Sequence, residues 1–205
     1  MNPKYLGDSY DIVKQSLLRW LANTGTWATH PMFTEDVSTE QAEAFSSLLG
    51  TRLLSCDTLT HGTDRDAYLA PARDCHHHVF LDPDTGIRLK PTKGAKAPHY
   101  LFGTELAAIA DACPERLILV FDQSLARGKE REQIQTKLGS LTKQHMLGIA
   151  YISHACFVLV GKNRTLLDSA FETLKKESHL PECRFLSWNS QNQAVHRIAE
   201  KSGSR

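Results

Sequence analysis

The chain is predicted to fold as a three-layer α/β domain with a mostly parallel sheet and an antiparallel strand near its C-terminal end. Three observations predict this. Apolar, β-prone runs alternate with amphipathic helical segments through the middle and second half, the pattern of strands joined by crossover helices. Arg116 to Asp122, RLILVFD, sets five apolar residues in succession, as a central strand covered on both faces requires. Residues 148–160 hold two more apolar stretches around Ser153-His154, which read as one long strand or a tight antiparallel pair. The architecture these imply is Rossmann-like.

The elements follow in order. After an irregular lead-in, Asp8 or Ser9 can cap a helix whose Ile12, Val13, Leu17, Trp20 and Leu21 recur at three and four. Asn23 to Gly25 ends it. Thr26 to Phe33 predicts a short strand turning at His30-Pro31, Thr39 to Leu49 a helix closed by Gly50, and Arg52 to Cys56 a second short strand. Asp57 to Cys75 reads as a polar loop. His76 to Leu81 is a strand broken by Asp82-Pro83-Asp84-Thr85-Gly86, a turn stiffened by proline and released by glycine. Lys90 to Pro98 is a basic loop, either a solvated linker or an anion-binding segment.

Leu101 to Cys113 predicts a helix stopped by Pro114. Beyond the central strand, a basic loop at Ala126 to Lys129 leads into a charged helix reaching about His145, with Ile134, Leu138 and Leu141 inward. Asn163 to Ser178 predicts a helix, and Pro181 to Trp188 a last short strand. The whole reads as one domain over 1–186 with a polar tail at 187–205.

Bulk properties limit the function. An apolar share of 41 % supports a buried core, and a net charge of +1 gives no global attraction to nucleic acid or anionic membranes. The five cysteines are odd in number and widely spread, which predicts reduced thiols and a cytoplasmic setting. The longest apolar run is too short to span a bilayer as a helix, so no membrane partner is expected. The oligomeric state is not legible. Dinucleotide fingerprint, P-loop, nucleophile elbow and zinc motifs are all missing from the sequence. Cys75-His76-His77-His78 is a poor metal site if extended, because neighbouring strand side chains point to opposite faces. A Ser124, His154 and Asp122 triad has no spacing to support it.

Right-handed crossovers should align the strand ends near 81–86, 121–125 and 153–155 along one rim, where open α/β sheets bind ligands. That step gathers Asp82, Asp84, Asp122, Gln123, Ser124 and His154 into one crevice.

Gly7-Asp8-Ser9-Tyr10-Asp11-Ile12-Val13-Lys14 resembles the opening segment of the ribosomal RNA adenine-N6 methyltransferases and related class I S-adenosylmethionine (SAM) folds. Asp82-Pro83-Asp84 is similar to their Asp-Pro-Pro-Tyr motif, and the 149–160 pair to the antiparallel strands that finish such sheets. The resemblance runs over roughly residues 5–175. It implies a SAM-methyltransferase-like protein acting on or binding nucleic acid. Asp82 and the Pro83 carbonyl would hold the exocyclic amine of a flipped base. Asp84, which stands where the family has its second proline, and Asp122 complete the catalytic candidates on that rim. Gly7, Asp8, Asp11 and Lys14 would border the cofactor. No glycine occurs between Thr29 and Glu35, where the family's backbone approaches SAM, which implies a degenerate cofactor site.

Two alternatives stand beside this reading. Asp82, Asp84 and Asp122 could hold Mg²⁺ through oxygen ligands in a nuclease or other phosphoryl-transfer enzyme, with Lys90, Lys93, Lys96 and Arg127 on phosphates. The polar loops could instead face a protein partner in a non-catalytic binding module.

Overall fold

The computed structural model describes residues 1–187. The 188–205 part of the expected tail lies outside the described residues. Seven strands form the main sheet: β1 (Trp27–His30), β2 (Arg52–Leu53), β3 (His78–Leu81), β6 (Leu117–Phe121), β7 (Leu147–Ile152), β8 (Cys156–Gly161) and β9 (Phe185–Ser187). Their order is β2-β1-β3-β6-β8-β7-β9. The first four run parallel, and β8 is antiparallel to both β6 and β7. The fold is therefore the expected three-layer α/β architecture, with reversed strands confined to its C-terminal part. The 148–160 region is the antiparallel pair, turned at Ser153 to Ala155. Among the described residues no helix is long and apolar enough to cross a membrane, and all five cysteines are free.

Six helices cover the sheet. Helices α1 (Ser9–Trp20), α2 (Thr39–Leu49) and α6 (Arg164–Ser178) pack on one face, against Trp27, Phe80, Leu119, Phe121 and Phe157. Helices α3 (Arg65–Arg73), α4 (Gly103–Ala112) and α5 (Glu130–Thr142) pack on the other, against Val79, Leu81, Ile118 and Val120. Each face buries a complete apolar stripe. Leu17, Leu18 and Leu21 at the C-terminal end of α1 are all inside, and each such side chain contributes about 2 kcal/mol on transfer from water. Local signals set the ends. Asp8 accepts from the Tyr10 and Asp11 amides, a capping box joins Ser38 and Gln41, and Gly50 ends α2 in the left-handed region.

Two regions differ from expectation. The 57–75 segment is not all loop, because Asp64 caps α3 within it. Pro71 in the last turn hid this helix, whose apolar positions Tyr68, Leu69 and Ala72 are too few to show a period. The segment around the basic loop also builds a separate two-stranded parallel sheet from β4 (Gly86–Arg88) and β5 (Tyr100–Phe102). The helix expected from Leu101 thus starts at Gly103. Arg65 fixes this annex by pairing with Glu105 at 2.5 Å and donating to the Tyr100 carbonyl at 2.8 Å.

Candidate functional site

Strands β1, β3 and β6 deliver His30, Asp82 and Asp122 to one rim, the carboxyl edge of the parallel strands. From β1 the chain passes to β2 on one side and returns to β3 on the other. The switch point, where such folds bind ligands, therefore lies between β1 and β3. Residues 1 and 2 lie there. The Met1 nitrogen is 2.6 Å from the Met32 carbonyl and 3.1 Å from that of Asp82.

Beside this crevice opens a cavity of about 340 Å³ between α1 and the turns after β3 and β6. Asp8, Asp11, Lys14, Asp82, Pro83 and Asp84 line it, so two segments about 70 residues apart in sequence meet in one place. Gly7 does not line it, but its N–H donates to Asp11 Oδ2 at 2.8 Å. Met1, Asn2, Tyr5, Tyr10, Phe121 and Gln123 complete the walls. Tyr10 was legible in principle, since it precedes Lys14 by four and so shares its helix face. Phe121, the last residue of the predicted central strand, was not marked as a wall.

Lys14 is the centre of the site. Its buried ammonium donates to Asp11 Oδ1 and Asp82 Oδ2, each at 2.8 Å, and lies 4.6 Å from the centre of the Phe121 ring. Burial alone would favour the neutral amine, but the two carboxylates outweigh it and raise the pKa above the usual lysine range. Burial pushes the Asp82 carboxyl the other way, up from its ordinary range, despite Lys14. One ammonium cannot satisfy two buried carboxylates. The residue of that imbalance is visible: Asp82 Oδ1 is buried and has no hydrogen-bond partner.

The predicted aspartate trio does not come together. Leu81 pairs with Val120, so Asp82 and Asp122 leave the sheet on opposite faces although they share a rim. Asp122 instead accepts from Lys137 of α5 at 2.6 Å and from Ser124 Oγ at 2.7 Å, outside the cavity. Asp84 turns to His99 at 2.7 Å. Each aspartate has its own basic partner. Among the described residues, no group of three or more His, Cys, Asp or Glu could hold a metal ion. The Ser124, His154 and Asp122 triad is not assembled either, since the His154 ring faces Tyr10. In the Cys75 to His78 stretch, His78 is buried between the Thr24 carbonyl and the Leu117 amide, while His76 and His77 are exposed.

The residues after β1 do not suit a SAM site of the expected kind. A glycine there would let the cofactor reach the backbone. Here Met32, in the left-handed region at φ 48, and Phe33 are both buried, and Thr34 donates its amide to the Met1 carbonyl at 3.0 Å. Side chains fill the approach.

His30, at the end of β1, adds a pH dependence. Its Nε2 meets the Tyr68 carbonyl at 3.0 Å, which makes Nε2–H the donor and leaves Nδ1 buried without a partner. Burial lowers its pKa to about 4. The folded state therefore holds neutral histidine, and the unfolded state takes up the proton first as pH falls from 6.5 towards 4. Urea unfolding should show stability full above pH 7 and about 2 kcal/mol lower at pH 5 from this residue. His30→Gln should remove that increment; an unchanged pH profile would contradict the assignment.

The fold and site define a Rossmann-like α/β protein with an acidic, aromatic-walled cavity at the carboxyl edge of its sheet. Comparison of the chain with protein-family models, curated proteins and solved structures finds no match.

Proposed function

We propose that this is a methyltransferase-like nucleic-acid-binding protein with a degenerate SAM site, whose cavity receives the exocyclic amine of an extruded adenine. The observation that carries the reading is Asp82 Oδ1. A carboxylate oxygen buried without a donor is costly in a folded protein, and a ligand N–H is what it lacks. Tyr10 and Phe121 offer the aromatic surface that Thr85, standing where the Asp-Pro-Pro-Tyr motif has tyrosine, does not, and the charge of Asp84 is directed to His99 rather than at the ligand. The antiparallel closing strands and the union of Asp11 and Lys14 with Asp82 also accord with the resemblance. The filled turn after β1 favours binding over methyl transfer. The separation of Asp82 from Asp122 weighs against the Mg²⁺ alternative.

Isothermal calorimetry tests this. Adenosine should bind, and inosine should bind at least about tenfold more weakly, because its O6 carbonyl faces a carboxylate oxygen. SAM should give no heat at millimolar concentration. Equal affinities for the two nucleosides, or no binding of adenosine, would refute base recognition; binding of SAM would refute the degenerate site.

A further inference from the structure

We infer that this cavity is the first of two rooms, and that the chain binds a dinucleotide step of single-stranded nucleic acid rather than an isolated nucleoside. The inference rests on the base-binding reading above and adds a second subsite to it.

A further cavity of about 470 Å³ adjoins the first and shares Tyr10 and Gln123 with it. Its wall includes Arg127, ahead of α5, and His154, at the tip of the β7–β8 turn. The rings of Tyr10 and His154 lie 5.3 Å apart at 34°. They thus form a short aromatic shelf where the rooms meet. The turn is held in place, because Ser153 Oγ donates to the Ala155 carbonyl at 2.8 Å and accepts from the Ala155 amide at 3.2 Å. His154 itself is exposed, so a flat partner can reach it.

Charge assigns the parts of the ligand. In the first room Asp8, Asp11 and Asp82 outnumber Lys14, while Asp84 is turned to His99; the excess repels phosphate and suits an uncharged base with donor groups. In the second room Asp122 is already paired with Lys137, and the exposed Arg127 is matched by Glu130, so a phosphate there meets a cation without the acidic excess of the first room. The base enters the first room, its phosphate meets Arg127, and the neighbouring base stacks on the shelf. Stacking of this kind tolerates any base, since each has a π-face.

The test compares adenosine monophosphate with the dinucleoside monophosphate ApA by calorimetry. Wild type should bind ApA about tenfold more tightly, the increment that one stacked base supplies. His154→Ala, at an exposed position, should bring the ratio of the two affinities close to one, whereas Arg127→Ala should weaken both ligands and leave the ratio in place. A wild-type ratio near one, or a ratio that His154→Ala leaves intact, overturns the second room while Asp82-dependent binding of the mononucleotide stands. Failure of both ligands to bind overturns the base-binding reading as well.

Discussion

Lys14→Met should destabilise the protein by about 3–5 kcal/mol, whereas Asp82→Asn should leave stability at pH 7 unchanged or raised. The asymmetry follows from the charge count around one ammonium. Without Lys14, two buried carboxylates face each other with no counter-ion. Without the Asp82 charge, Lys14 keeps Asp11, which the Gly7 amide also holds. The pH argument agrees. The folded-state pKa of Asp82 is raised, so what its carboxyl contributes to stability is fully present below about pH 4 and lost as pH climbs through the folded value. At neutral pH the ionised Asp82 is a net cost, and asparagine removes it. A costly buried carboxylate in a cleft is a mark of a working site, so the same Asn variant should lose discrimination between adenosine and inosine. Urea unfolding of both variants at pH 7 decides the matter. A Lys14→Met loss below about 1 kcal/mol, or an equal loss in Asp82→Asn, would contradict the charge count.

Gly86→Ala should cost about 4 kcal/mol and lower Tm by about 10 °C, from backbone strain and overpacking together. Gly86 has φ +133, and a Cβ there would lie 2.2 Å from Asp122 Oδ1 and 2.8 Å from Asp122 Cα. Asp122 has no room to yield. Its Oδ1 accepts from the Ile87 amide at 3.2 Å, the Ser124 amide at 3.0 Å and Ser124 Oγ at 2.7 Å, while Oδ2 holds Lys137. This aspartate, predicted as catalytic, is the clasp that ties the β4–β5 annex and α5 to the end of β6. Gly94→Ala is the control. It too has positive φ, at +90, but nothing within 4 Å of the added carbon, so only strain of about 1 kcal/mol is expected. Thermal melts that place the two variants together would show that Asp122 is not rigidly held.

Local features were legible where a single element carries its own signal. RLILVFD reads as a central strand because burial on both faces demands an unbroken apolar run, and β6 is that strand. Asp8, Ser38 and Gly50 mark helix ends because unpaired amides and left-handed backbone select those residues. Lys137 shares the inward face of Ile134, Leu138 and Leu141, but which group its ammonium meets is settled only when the helix docks on the sheet beside Asp122. His99 was no more visible as the partner of Asp84, because only the β4–β5 annex brings the two together.

By itself, then, the sequence determined the alternation of strands and helices and placed Asp82 and Asp122 at strand ends, since periodicity, capping and turn chemistry act over a few residues. Only the tertiary structure decided that Asp82 meets Lys14 while Asp122 meets Lys137. That outcome depends on the register of β3 against β6 and on which helix covers which face. Packing between segments tens of residues apart sets both, and shifting either strand by one residue would send its side chains to the opposite face.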